Sequence, residues 1–238
     1  MVPHCCLSEY RTVGRRGRDA RRATRGAHTR ARMSRADGDA LETRRLFGGA
    51  VVLDVPRRFR DLSSVVPVPD HQEVFADGAR DETLVVELVD AIAREGEDLR
   101  AFAFADACEE MEASSATYVR GRERARGEDD ARGRGTSETH VAYGVARVRR
   151  SRETSANDID LWGGIVRVAS KRTDALIWHA RPFAFDGDAT TPGGERARPS
   201  DADAVRAGAV ECSDVLDAAL NSFEIVDWGL FGDEAGEG

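Results

Sequence analysis

Three runs in the second half of the chain set apolar residues at alternate positions: Val141 to Val148, Leu161 to Val168 and Ala175 to Ala180. A period of two places successive side chains on opposite faces of a pleated strand, so each run predicts a strand with one buried face. Successive strands mostly pair with one another, and that predicts an antiparallel meander.

The first half carries further strand signals. Ala50-Val51-Val52-Leu53-Asp54-Val55 reads as a strand ended by Pro56. Val65-Val66-Pro67-Val68-Pro69-Asp70 must be extended, because each proline biases the residue before it away from helix. Gln72 to Ala76 and Thr83 to Val89 read as a hairpin across the Asp77-Gly78 turn. A helix competes for the second of these runs, since Leu84, Val85, Leu88, Val89 and Ile92 also fit helical spacing. Two helices are expected, one over 95–115 with Leu99, Phe102, Ala103 and Met111 on or near one face, and one over 203–223 ending in Leu220 and Phe223. The charged, Gly-rich stretch 120–136 and the polar stretch 186–202 read as loops. The predicted class is α/β of the α+β type, an antiparallel six-stranded sheet packed between helices.

Charge divides the chain. Residues 1–45 hold twelve arginines against five acids, and the remainder has a net charge near -15. The expected organisation is an Arg-rich disordered extension or leader at 1–45, with Met33 as a competing start, a folded body at 46–231 and a flexible acidic tail at 232–238. A body this acidic repels nucleic acid and anionic membranes and suits a basic protein partner. No run approaches the roughly 20 apolar residues of a membrane helix. Cys5, Cys6, Cys108 and Cys212 form no CxxC motif and no disulfide framework.

Motifs for covalent chemistry are thin. Leu46-Phe47-Gly48-Gly49-Ala50 is Gly-rich but lacks P-loop spacing and precedes a strand, so it reads as a tight strand entry. His4, His28, His71, His140 and His179 show no metal-ligand spacing, and no cofactor is expected. Asp70-His71-Gln72-Glu73 is the densest polar cluster in a structured stretch. It reads as an acid–base set, a solvated turn or a recognition patch. The last is preferred, because the Pro67/Pro69 lead-in would preorganise it.

Leu46-Phe47-Gly48-Gly49-Ala50, Val55-Pro56, Phe59, Asp61, Ser63, Val68-Pro69-Asp70, Gln72-Glu73-Val74-Phe75, Asp81-Glu82 and Val86-Glu87-Leu88 together resemble the Ran guanine nucleotide release factor family. Phe102 to Asp106, Val166 to Val168 with Thr173 to Ile177, and Ile225-Val226-Asp227 with Leu230-Phe231 extend the resemblance to residues 46–231. It implies a PsbP-like fold, binding of the GTPase Ran and promotion of nucleotide release in nuclear protein import. It also implies a place in nucleus and cytoplasm and action without covalent catalysis; a monomer is expected. The implied Ran-binding residues are Asp61, Asp70, Gln72, Glu73, Glu87 and Asp90. If 83–89 is a strand, Glu87 and Asp90 start on opposite faces. The competing functions are a PsbP-like structural subunit of a thylakoid-lumen complex and a hydrolase or metal enzyme using His71, His140 or His179.

Overall fold

The computed structural model describes residues 39–63, 65–124, 138–149, 156–185, 200–208 and 212–231. In chain order the described elements are β1 (Leu41–Leu46), β2 (Val51–Pro56), β3 (Arg60–Asp61), β4 (Gln72–Asp77), β5 (Glu82–Asp90), helix α1 (Gly96–Glu110), β6 (Ala113–Glu123), β7 (Glu138–Arg149), β8 (Ala156–Val168), β9 (Thr173–Phe185), the short helix α2 (Ala202–Arg206), helix α3 (Asp214–Ser222) and β10 (Glu224–Ile225). Seven strands form one sheet in the order β3-β4-β5-β9-β8-β7-β6, and β1-β2-β10 form a second, smaller one. Every pairing is antiparallel.

The alternating runs fill two cores, one on each face of the large sheet. On one face Phe75, Leu84, Val86, Tyr143 and Trp162 pack under the small sheet (Val51, Leu53), α2 and α3 (Val205, Leu216, Leu220). On the other, Val74, Val85, Leu161 and Trp178 pack against Leu99, Ala103 and Phe104 of α1. Burying each large apolar side chain contributes roughly 1.5–3 kcal/mol. Gly163 permits one close approach: a Cβ there would overlap the Trp178 indole.

The sheet-between-helices class holds, but six strands become ten among the described residues, in two sheets. Two of the added strands have a physical reason for being missed. The first, β1, starts at Leu41, inside the stretch expected to be a disordered extension. Its residues are mostly exposed, and backbone pairing to β2 holds it, so it carries no apolar alternation. The other, β6, is an edge strand with mostly exposed residues and two register irregularities, and it takes 120–123 from the expected loop. Residues 82–90 form a strand, not the competing helix. The helical spacing over 203–223 is divided between α2 and α3. The rest of the expected loops (125–136 and 186–199), most of the extension (1–38) and the acidic tail (232–238) lie outside the described residues. Among the described residues no helix is long and apolar enough to cross a membrane.

Candidate partner-binding site

The β4–β5 hairpin sets the geometry of the site. Its register places Gln72 opposite Glu87 and Glu73 opposite Val86. The pleat then separates the carboxylates. Glu73 shares a face with Phe75 and Val86, under the small sheet, while Gln72 and Glu87 share the α1 face with Val74 and Val85.

Glu73 is half-buried and both of its oxygens are engaged. Oε1 accepts the Phe47 backbone N–H at 2.8 Å, and Oε2 accepts the Ser63 hydroxyl at 3.1 Å. The Ser63 N–H in turn donates to Asp61 Oδ1 at 2.8 Å. One carboxylate thus ties the β1–β2 connection to the segment after β3. On the other face Gln72 and Glu87 are each only 6% exposed. Gln72 Nε2 donates to Glu87 Oε1 at 3.1 Å, and His71 Nε2 lies 3.3 Å from the same oxygen. Near this pair, burial pushes the Glu110 carboxyl up to about 7, helped by the charges of Glu87 and Asp106.

Asp61, Asp70 and Asp90 are exposed. Asp70, His71 and Asp90 all line an open depression of about 400 Å³. The apolar part of that lining is Phe47, Leu88, Val89, Leu230 and Phe231, drawn from three distant stretches of chain. The backbone explains the meeting: β10 pairs with β2, and the N–H groups of Val226 and Asp227 both donate to Ala50 O, at 2.8 and 3.1 Å. The turn Trp228–Phe231 is thereby set beside Phe47.

Of the six sequence-predicted residues only Asp70 and Asp90 line the depression; Asp61 is linked through Ser63 to Glu73 on one face of the hairpin, and Gln72 and Glu87 pair on the other. Asp61, Asp70 and Asp90 present carboxylates to solvent, while Gln72, Glu73 and Glu87 hold the framework beneath them. Sequence reasoning did not assign Phe47, Leu88, Leu230 and Phe231 to the site. The available signal was an apolar Leu230-Phe231 pair stranded in an acidic, Gly-rich C-terminus.

A second depression, of about 370 Å³, is lined by Arg58, Arg80, Glu82, His179, Arg181 and Ser213 among others. Arg58 reaches Glu82 at 2.7 Å and both Asp77 and Asp39 at 3.1 Å. Burial raises the Glu82 carboxyl, but His179, Arg58 and Arg80 outweigh it and hold it at about 2. Burial also lowers the affinity of His179 for a proton, which keeps the imidazole neutral. Its Nδ1 lies 2.9 Å from Ser213 Oγ, and that oxygen also accepts the Leu216 N–H at 3.2 Å as the cap of α3. His179 and Ser213 join α3 to the sheet, while the Arg58 pairs tie the chain after β2 to the β4–β5 hairpin.

The three body histidines sit apart. His71 lines the first depression, His179 the second, and His140 is buried against Arg100 and Glu138. Burial pushes the Cys108 and Cys212 thiols up to about 12, so both stay protonated and poorly nucleophilic at neutral pH. Among the described residues no three His, Cys, Asp or Glu side chains gather as a metal-ligand set.

Residues 44–182 match the family model described as Ran-interacting Mog1 protein. The chain is 32% identical over 139 residues to the human Ran guanine nucleotide release factor, covering 58% of this chain and 74% of that one. It is 28% identical over 195 residues to the nuclear import protein mog1 of Schizosaccharomyces pombe, covering 78% and 98%. Among solved structures, the Saccharomyces cerevisiae Ran-binding protein Mog1p superposes with a TM-score of 0.56 at 18% identity, over 81% of this chain and 98% of that one.

Proposed function

Because this chain belongs to the Ran-interacting Mog1 family, we propose that it binds the small GTPase Ran and promotes release of the bound guanine nucleotide, in support of nuclear protein import in nucleus and cytoplasm. The observation that carries this reading is the pair Asp70 and Asp90, exposed in the lining of one depression on a strongly acidic body.

A GTPase grips its nucleotide with a phosphate-cradling loop, a lysine and Mg²⁺. A release factor must therefore prefer the nucleotide-free form. Exposed carboxylates meet that requirement by pairing with basic groups that a bound phosphate would otherwise occupy or screen. No bond is made or broken in the step. The factor acts as a monomer that holds the emptied state. Asp61, Asp70 and Asp90 make the contacts, and Gln72, Glu73 and Glu87 keep them in position.

The test is reversal of the two exposed acids, Asp70→Lys with Asp90→Lys, followed by affinity for nucleotide-free and GTP-loaded Ran and by nucleotide-release kinetics. The wild type is expected to prefer the nucleotide-free form and to accelerate release, and the double variant to lose both properties while unfolding at the wild-type temperature. Equal affinity in wild type and variant would overturn the proposed face. Reversal of Glu73 or Glu87 is the poorer test. It would break internal ties, and at Glu87 it would bury an unmatched cation and destabilise the fold.

A further inference from the structure

We infer that the C-terminal turn Trp228–Phe231, together with Phe47 and Leu88, forms an apolar anchor site for the same GTPase. A large apolar side chain of Ran enters the depression, and basic residues flanking it pair with Asp70 and Asp90. The inference rests on the reading that Ran is the partner. It adds a second, chemically different half to the interface. The residues that supply this half at the C-terminus lie outside the 44–182 stretch matched to the family.

Four observations carry it. First, Leu230 is 38% exposed, and its side chain opens onto the depression alongside Phe231, Phe47 and Leu88. Apolar side chains converging from three parts of a chain onto one open concavity mark an interaction site more than a scattered surface leucine does. Secondly, the ionisable lining is Asp70, Asp90 and His71, so the apolar side chains share one depression with two acids. That pattern complements an apolar residue set among lysines or arginines.

Thirdly, the wall is built before the partner arrives. The pairing of β10 with β2, the Val226 and Asp227 N–H bonds to Ala50 O, and the Gly229 N–H bond to Asp227 Oδ1 at 2.9 Å all hold the turn. The Trp228 and Phe231 rings pack against each other tilted at 44°, with centroids 6.0 Å apart. A preformed wall avoids the ordering cost of binding. Fourthly, the depression is wide and open, so it would enclose only part of a small molecule, whereas a partner's side chain is covered by the rest of its own surface.

The two halves should separate kinetically. Exposed charge mainly steers encounter, while a desolvated apolar anchor mainly slows departure. The experiment measures association and dissociation of nucleotide-free Ran with the full chain, its Leu230→Ser and Leu230→Met variants, and Leu41→Ser as a control at an exposed apolar residue outside this depression. Leu230→Ser is expected to dissociate at least about tenfold faster, as a hot-spot residue does, with association and its salt dependence unchanged. Leu230→Met and Leu41→Ser are expected to behave as wild type, and all variants to unfold at the same temperature. Dissociation of Leu230→Ser within twofold of wild type, with Asp70→Asn and Asp90→Asn still weakening binding, would overturn the anchor and leave the acidic face standing. A wild-type chain that dimerises through Leu230 while Ran affinity ignores it would also overturn it, assigning the depression to a second copy. If the wild type binds no form of Ran, the functional reading itself falls, and the anchor with it.

Discussion

Glu110 has a carboxyl whose surroundings oppose its charge. Burial comes first, and Glu87 and Asp106 add like charge, so the group holds its proton up to about 7, against an ordinary 4.5. A carboxyl raised on folding leaves the native state with more bound protons than the unfolded chain between those two values. Stability therefore falls as pH rises through that window, and the loss is complete above it. Glu110→Gln, which mimics the protonated form, should unfold at a higher temperature than wild type at about pH 8 and at the same temperature at about pH 3, where Glu110 is protonated in the folded and the unfolded chain alike. Thermal melts across pH check this, and a gain of equal size at both ends would exclude the charge explanation. The residue scale is also where the sequence was least informative. Glu73, Glu87 and Asp90 are similar letters in one motif, yet one is a tie, one is buried and one is free. Local sequence cannot separate them, because the difference is made by Phe47, Ser63 and Gln72 across the fold.

At the scale of elements, strands with a buried face were legible and strands without one were not. The three alternating runs of the second half of the chain, β7, β8 and β9, appear where their alternation predicts them, with longer ends. The edge strands β1 and β6 are exposed on most positions and are defined by hydrogen bonds to a neighbour, which leave no imprint on side-chain pattern. Helix α3 illustrates a stronger dependence on its start. Ser213 is its N-cap and at the same time the partner of buried His179. Ser213→Ala should cost about 1 kcal/mol for the cap and about 1–3 kcal/mol more for the stranded imidazole nitrogen. Denaturant unfolding measures the sum, and a loss of only about 1 kcal/mol, that of the cap alone, would show that the His179 link carries no weight.

The whole chain carries a net charge of -8, of which residues 46–238 form an acidic body near -15, and its binding should reflect that. Affinity for Ran is expected to fall steadily as salt rises from about 0.1 M to about 1 M, where the screening length shrinks from about 10 Å to about 3 Å. Titration at several ionic strengths checks this, and a flat profile would leave no role for the carboxylates in steering. The sequence by itself determined the antiparallel strands with a buried face, the hairpin that carries Asp70 to Asp90, the acidity of the body and the family resemblance. Each of these is written in short-range spacing or in composition, where the period of a pleat or the sum of charges needs no knowledge of neighbours. Only the tertiary structure decided which carboxylates face solvent, that a second sheet covers one face, and that Leu230 and Phe231 come to lie beside Phe47 and Leu88. Those outcomes depend on strand pairings such as Val51 with Ile225, between residues far apart in the chain, and no local pattern encodes where such partners meet.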